Sequence, residues 1–201
     1  MRGRGEKMGK RIFKPSAMLN PVPVVMLSCG TMKDSNIITV AWAGTVCSEP
    51  PMVSVSIRKE RLSHKIISET SEFVINLVGE SLAKECDYCG VKSGRDIDKF
   101  EQLSLSKLES EEVKCPGIEQ SPVRIECRVK SVTELGTHDM FVAEVVSVTV
   151  DDAYIDESDK FNMDKTNLIC YSHGEYYSLG KMLGFFGYSV AAPEVLKRRM
   201  R

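Results

Sequence analysis

Short apolar segments separated by turn-forming residues dominate the chain, and most have the length and composition of β-strands. The clearest alternation covers residues 52–57, where Val53, Val55 and Ile57 alternate with serines, so these three side chains are expected to face a core. A second alternating segment, 123–130, is predicted to keep one face in water. The same criteria predict strands over the segments 22–27, 37–44, 73–78 and 140–150 and a hairpin over 168–179.

Helices are predicted at three places only. Ser63 is expected to cap a helix over 63–69, and Ser81 a second helix over 81–88 that stops at Gly90. A helical turn is expected within 95–102. Because six or seven strands follow one another with few helices between them, the pattern predicts a mainly β fold, an antiparallel barrel with short helical insertions.

The length of 201 residues suits one domain, which is predicted over residues 13–190. Residues 1–12 are rich in basic residues and glycine, so we expect a flexible basic tail there. Residues 191–201 are again basic and are expected to form a tail or a short helix.

The overall charge is balanced, with 27 Lys and Arg against 28 Asp and Glu and a formal net charge of -1. This balance argues against a chain selected as a whole for nucleic acid or for a membrane surface, so any basic site is local. No apolar stretch reaches the roughly 18 residues of a membrane span, and the first ten residues lack the apolar core of a signal peptide. The protein is therefore expected to be cytoplasmic.

The seven cysteines are sparse, and their number is odd, so they do not suggest a disulfide scaffold. In a reducing compartment we expect free thiols. Cys86 and Cys89 form a C-x-x-C pair, which suggests structural zinc, redox chemistry or simple packing. Packing is favoured because Leu82, Cys86 and Cys89 share one helical stripe and no second C-x-x-C completes a zinc site. No metal site is therefore predicted.

A local run of cations follows the strand at 52–57. Arg58, Lys59 and Arg61 lie beside Ser63, at the start of the predicted helix, so cations, a hydroxyl and free backbone amides converge there. This combination is typical of a phosphate site. The alternative is a solvated turn whose cations pair with nearby glutamates such as Glu60.

Two further polar places have less specific patterns. Residues 45–48 are expected to form a turn whose amides and hydroxyls suit the edge of a planar ring, although these residues alone favour a plain polar connection between two strands. His138 is expected to lie exposed in a hairpin turn, and His173 to lie in another turn close to Tyr176 and Tyr177.

Several motifs occur together in a characteristic order. They are Asn20–Pro23, Asn36–Thr39, Ala41–Gly44, Ser48–Pro51, Arg58–His64, Phe73–Leu77, Cys89–Asp96, Asp98–Phe100, Ser121–Val123 and Glu126–Cys127. In this order they resemble the flavin reductase-like family of FMN-binding split barrels, particularly its flavoredoxin-type members. The resemblance covers residues 13 to 190.

The resemblance implies a homodimer of six-stranded antiparallel Greek-key split barrels, each binding one FMN non-covalently near the dimer interface. It assigns the flavin ring and ribityl chain to Thr45, Val46, Cys47 and Ser48. It assigns the phosphate to Arg58, Lys59, Ser63 and His64. Asn36 is expected near the flavin, and His173, with Tyr176 and Tyr177, is expected to approach the ring from the C-terminal region or from the second subunit.

The family includes two chemistries, hydride transfer from NAD(P)H to flavin and electron transfer between protein partners. In both, the flavin carries the reaction, so no catalytic side chain is predicted. The sequence lacks G-x-G-x-x-G, so a nicotinamide would bind without a Rossmann unit. The alternatives are a non-enzymatic split barrel that binds haem or another cofactor, and a zinc-stabilised structural protein.

Overall fold

A computed structural model describes residues 9–200, and strands predominate in it. The strands are β1 (Val22–Pro23), β2 (Val25–Gly30), β3 (Ser35–Val40), β4 (Ala43–Ser48), β5 (Pro51–Arg58), β6 (Glu72–Leu77), β7 (Lys107–Leu108), β8 (Gly117–Ile118), β9 (Val123–Leu135), β10 (His138–Val150), β11 (Ile169–Ser172) and β12 (Glu175–Ser178). The α-helices are α1 (Leu62–Thr70), α2 (Ala83–Val91), α3 (Lys99–Gln102) and α4 (Pro193–Arg199). The predicted mainly β class is confirmed.

The main sheet has seven strands in the order β3-β2-β6-β9-β10-β5-β4, and every neighbouring pair is antiparallel. The expected number of six is therefore wrong. The predicted strand over 37–44 ends at Val40, and residues 45–48, which were expected to form a turn, belong to β4. As an edge strand with an exposed face, β4 lacks the apolar alternation that reveals a strand in a sequence.

The sheet curls around an apolar core. Val40 of β3 and Val53 of β5 come from strands near opposite ends of the sheet, yet both belong to this core, which makes the sheet a barrel. Ile67 of α1 closes the core, with no exposed surface. Val53, Val55 and Ile57 are buried as the alternation predicted.

A second core covers the outer face of β2 and β3. It includes Met26 and Ile37 from these strands, Cys86 and Cys89 from α2, and Phe100 from α3. Because β2 lies between two cores, all six of its residues are buried. The expected edge strand at 22–27 is therefore only partly correct, because its proline-rich start forms the short strand β1, which pairs with β11 in a separate small sheet.

Strand β9 differs most from its predicted surface. Arg124 and Glu126, expected to face water, are buried. Glu126 accepts backbone hydrogen bonds from Glu111 at 3.0 Å and Glu112 at 2.7 Å, so the loop before β8 covers this face. The sequence suggests a surface position for Glu126, because the two amides that satisfy its buried carboxylate come from a loop 14 and 15 residues earlier in the chain.

The predicted helix caps also need correction. Helix α1 begins at Leu62 with Arg61 at the N-cap and without a side-chain cap, so Ser63 lies inside the first turn. Helix α2 follows a 3-10 turn with Leu82 at its N-cap, not Ser81, and continues through Gly90 to Val91. The predicted helical turn in 95–102 is confirmed as α3, which Asp98 caps by accepting from two backbone amides.

Both ends of the described chain carry exposed apolar residues. Ile12 and Phe13 precede β1, and Leu183 and Phe186 follow β12, with Phe186 104% exposed. The predicted basic tail falls mainly on residues 1–8, which lie outside the described part of the chain, as does Arg201. Within residues 9–200, no helix is both long and apolar enough to span a membrane.

Candidate functional site

Two adjoining cavities lie on the outside of the barrel, beside α1 and α2. The first, which we call the aromatic cavity, has a volume of about 420 Å³. Its walls include Trp42, His138, Tyr171, Tyr176, Arg58 and the apolar side chains of Val24 and Ile38. About half of this lining is polar, so aromatic faces lie beside charged groups such as Arg61 and Asp87. Aromatic faces with a few polar groups are typical of a site for a small organic ligand.

Trp42 and His138 form one wall of the aromatic cavity. Their ring centroids lie 4.6 Å apart at an interplanar angle of 45°. Desolvation, followed by the positive charge of Arg58, lowers the pKa of His138 below its ordinary value of 6.5, so the imidazole is neutral at pH 7. The wall therefore combines an exposed indole, a neutral imidazole and a guanidinium.

The β11–β12 hairpin supplies the opposite wall. The rings of Tyr171 and Tyr176 meet edge to face, with centroids 5.4 Å apart. Tyr176 donates its hydroxyl to Asp87 of α2 at 3.1 Å. Burial, and then the hydrogen bond to Asp87, raise the pKa of Tyr176, so this phenol remains protonated.

The second cavity, which we call the basic cavity, has a volume of about 300 Å³ and shares Ile38 and Arg61 with the first. Its lining contains four cations and a single carboxylate. These are Arg61, Lys92, Arg95 and Lys99, and Glu60. Leu62 and Ser63, in the first turn of α1, also line it, so free helix amides add to the positive potential.

Lys99 is the unusual member of this set, because it is only 3% exposed. Its Nζ donates to the backbone oxygen of Ile37 at 2.7 Å and to that of Cys89 at 2.8 Å. Among residues 9–200 it forms no ion pair, and desolvation lowers its pKa. An ammonium has three protons, so one donor remains for a ligand in the basic cavity.

A buried hydrogen bond shapes the floor of the basic cavity. Asn36 Nδ2 donates to Ser63 Oγ at 2.8 Å, and both side chains are buried. Gly94 lies directly against this pair, because a Cβ built on it would be 2.0 Å from Asn36 Oδ1. Glycine is therefore required at position 94 for Asn36 to occupy this position.

Five residues singled out in the sequence line the two cavities, and one of them, Arg61, lines both. Arg58 lines the aromatic cavity together with Tyr176, whereas Asn36 and Ser63 line the basic cavity. The structure thus separates Arg58 from Ser63, although the sequence placed both at one phosphate. Arg58 instead reaches Glu60 at 3.5 Å in an exposed pair.

Lys59 and His64, also predicted to bind phosphate, line neither cavity. His64 Nε2 lies 2.8 Å from Asp139 Oδ2, and Lys59 Nζ lies 2.7 Å from Glu134 Oε2 and 3.3 Å from Asp139 Oδ1. These side chains form an ion-pair network beside the cavities. In this chain they therefore surround the site without lining it.

The predicted ring-binding residues lie elsewhere. Thr45, Val46, Cys47 and Ser48 form most of the exposed edge strand β4, and none lines either cavity. Thr45 pairs with Val53 and Ser48 with Pro51, whereas Arg58 ends β5, so about 16 to 23 Å of strand separates residues 45–48 from Arg58. His173 lies in the exposed turn between β11 and β12, and Tyr177 is also outside both cavities.

Sequence reasoning missed much of the lining: Trp42, His138, Tyr171, Lys92, Arg95 and Lys99 were assigned no role. His138, expected to be exposed in a turn, starts strand β10 and is partly buried against Trp42. A lone tryptophan before an edge strand is the one signal that could have been used. Lys99 gives no such signal, because helix α3 has only four residues and no periodicity.

The cysteines take no part in the cavities. Cys86 and Cys89 are buried with Leu82 in the second core, as predicted for packing. Burial raises the pKa of Cys86 to about 12 and that of Cys89 to about 11, so neither is a ready thiolate. Within the described residues, no three His, Cys, Asp or Glu side chains gather as metal ligands.

Most of the chain is similar to known proteins. The family described as "Flavin reductase like domain" matches residues 18–180. An uncharacterized protein of Archaeoglobus fulgidus is 34% identical over 144 residues, which cover 72% of this chain and 81% of that protein.

Two solved structures are similar over most of the chain. Flavoredoxin of Desulfovibrio vulgaris (Miyazaki F) superimposes with a TM-score of 0.81 and 28% identity, covering 88% of this chain and 97% of that one. Flavoredoxin from Methanosarcina acetivorans gives a TM-score of 0.80 and 25% identity, covering 91% of this chain and all of that one.

Proposed function

The chain belongs to the flavin reductase-like domain family, and on that premise we propose that it is an FMN-binding oxidoreductase. The basic cavity would hold the phosphate, and the aromatic cavity the flavin ring. The two cavities adjoin at Ile38 and Arg61, so one elongated ligand can extend from one into the other. A flavin mononucleotide, with a planar ring at one end and a phosphate at the other, has this shape and charge.

The observation that carries the proposal is the buried cation Lys99. A cation held in an apolar interior without a carboxylate is costly unless an anion neutralises it. The excess of cations over carboxylates in the basic cavity favours an anion there as well. A phosphate monoester supplies two negative charges and several acceptor oxygens, so it satisfies Lys99, Arg61 and the amides of α1 together.

The aromatic cavity fits the ring for a different reason. Trp42 and His138 offer aromatic faces, and Tyr176 is fixed by Asp87 on the opposite wall. Bound FMN would supply the transfer of electrons, and the chain would orient the ring and limit its exposure to water. Arg58, at the cavity rim, would add positive charge near any negative charge on the ring.

We expect the complete site to require two copies of the chain. Residues 45–48 line neither cavity of their own chain, and they lie on an exposed edge strand beside Trp42, which is 49% exposed. In a homodimer the β4 edge of one copy would reach the flavin of the other, which agrees with the position near the dimer interface that the family resemblance implies for FMN. Sedimentation should give a dimer, and a monomer at the concentrations used for flavin binding would contradict this part of the proposal.

Titration with FMN tests the proposal directly. The purified chain, freed of ligand, is expected to take up one FMN per chain, seen as a change in flavin absorbance and quenching of its emission. Protein that remains colourless and leaves the FMN spectrum unchanged would contradict the proposal. Haemin in a parallel titration tests the alternative of a haem-binding barrel.

Anaerobic mixing then separates the two chemistries. Rapid bleaching of bound FMN by NADH or NADPH indicates a reductase. Bleaching by dithionite but not by nicotinamides indicates an electron carrier that serves a redox protein partner.

A further inference from the structure

Three polar side chains outside the two cavities each follow, in the chain, a residue that lines one of them. The three pairs are Arg58–Lys59, Ser63–His64 and His138–Asp139. The three outer members form one network, in which Asp139 joins Lys59 to His64. The carboxylate of Asp139 therefore links the segments 58–59, 63–64 and 138–139 on the side away from the cavities.

Asp139 has the geometry of an anchor. Its side chain is 8% exposed, and Oδ2 lies 2.8 Å from His64 Nε2. Oδ1 lies 3.3 Å from Lys59 Nζ, and Lys59 also pairs with the exposed Glu134. Although desolvation acts to raise the pKa of Asp139, the hydrogen bond with His64 and the ion pair with Lys59 lower it, so the carboxylate is charged at pH 7.

The direction of β10 explains why this anchor bears on the cavities. Successive side chains of a strand point to opposite faces, so His138 faces the aromatic cavity while Asp139 shares the barrel interior with Phe141. His64 packs its ring edge on Phe141, with centroids 5.2 Å apart. Movement of Asp139 would therefore move His138 on the other face.

We infer that Asp139 is a positioning residue that sets the shape of both cavities from behind. Acting through Lys59 and His64, it fixes three lining residues, namely Arg58, Ser63 and His138. The part that concerns flavin affinity rests on the proposed function. The shape of the empty cavities does not, and it can be measured without flavin.

Trp42 gives that measurement, because it is the only tryptophan of the chain and lies 4.6 Å from His138. Protonated imidazole quenches nearby indole emission, so the emission of flavin-free protein should fall as the pH drops through the pKa of His138, below 6.5. The other charged groups around this wall are Arg58, Arg61, Glu60 and Asp87. Those around Asp139 are Lys59, His64 and Glu134.

The test is Asp139→Asn, which keeps the size of the side chain and removes its charge. We expect the pH-dependent change of Trp42 emission to lose amplitude or shift its midpoint. We also expect FMN affinity to fall about tenfold, at the low end of what loss of an outer hydrogen-bond partner costs at metal sites. Glu144→Gln is the matched control, because Glu144 lies on the same strand and, among residues 9–200, forms its one ion pair with Lys130 at 2.7 Å. It should retain the wild-type profile and affinity.

A variant with reduced thermal stability but an unchanged Trp42 profile and unchanged FMN affinity would overturn the inference, since Asp139 would then only stabilise the fold. If the wild-type chain binds no FMN, the proposed function fails. The Trp42 profile would still decide the positioning role.

A second pair of variants covers the case in which Asp139→Asn does not fold. His64→Gln keeps a side-chain donor for Asp139, whereas His64→Leu removes it. We expect His64→Gln to keep the wild-type pH profile of Trp42 emission. We expect His64→Leu to change this profile in the same way as Asp139→Asn. Identical profiles for the two variants would overturn the inference.

Discussion

Replacing Lys99 with Met is expected to weaken FMN binding about 10- to 100-fold while changing riboflavin binding about twofold or less. Hydrogen bonds to charged groups contribute about 1.5–3 kcal/mol, which corresponds to this range. Lys99 lines the basic cavity but not the aromatic one, so only the phosphate should be affected. Fluorescence titrations with the two flavins measure the ratio directly.

The control for this variant is Lys84→Met, which makes the same change at an exposed position of α2, outside both cavities. It should bind both flavins as the wild type does. Because Lys99 also donates to Ile37 and Cys89, the unfolding temperature of each flavin-free variant must be recorded. Equal losses for FMN and riboflavin would show that Lys99 acts on the fold and not on the phosphate.

The basic run at 58–64 shows how far sequence reasoning reached. The run does bring cations and helix amides together, but its residues point in three directions. Arg58 faces the aromatic cavity, Ser63 the basic cavity, and His64 the Asp139 network. Proximity along the chain predicts a charged region, whereas the turn from β5 into α1 decides which residue faces a ligand.

The strands were predicted wherever one face is buried. Residues 53, 55 and 57 alternate because a single core lies beneath them. Strand β2, buried between two cores, shows no alternation, and the exposed edge of β4 has too few apolar residues to show one. Periodicity reveals a strand when its two faces differ in polarity. In β9 the faces differ in this way, although Arg124 and Glu126 of the polar face are buried.

The cation that carries the proposed function could not be predicted in this way. Lys99 is buried because α2, α3 and β3 meet around it, and its two acceptors lie 62 and 10 residues away in the chain. Trp42 and His138 could not be predicted for the same reason, because their rings lie 4.6 Å apart although the two residues are far apart in the chain. The chemistry of a site that is built from distant segments can be predicted only once the fold is known.

Gly94→Ala is expected to lower the free energy of unfolding by about 2 kcal/mol and FMN affinity by about tenfold. The added Cβ would be 2.0 Å from Asn36 Oδ1 and 2.6 Å from Asn36 Cγ. Since Asn36 is buried, its amide must turn away and lose its hydrogen bond to Ser63, on the floor of the basic cavity. Denaturant unfolding and FMN titration measure the two effects.

The control is Gly180→Ala, because a Cβ at Gly180 meets no atom within 4 Å, and its stability should stay within about 0.5 kcal/mol of the wild type. A double-mutant cycle then identifies the cause. In an Asn36→Ala background the obstructing amide is absent, so Gly94→Ala should cost much less than it does alone. The same cost in both backgrounds would place the effect in the loop itself and would show that Gly94 does not shape the proposed phosphate site.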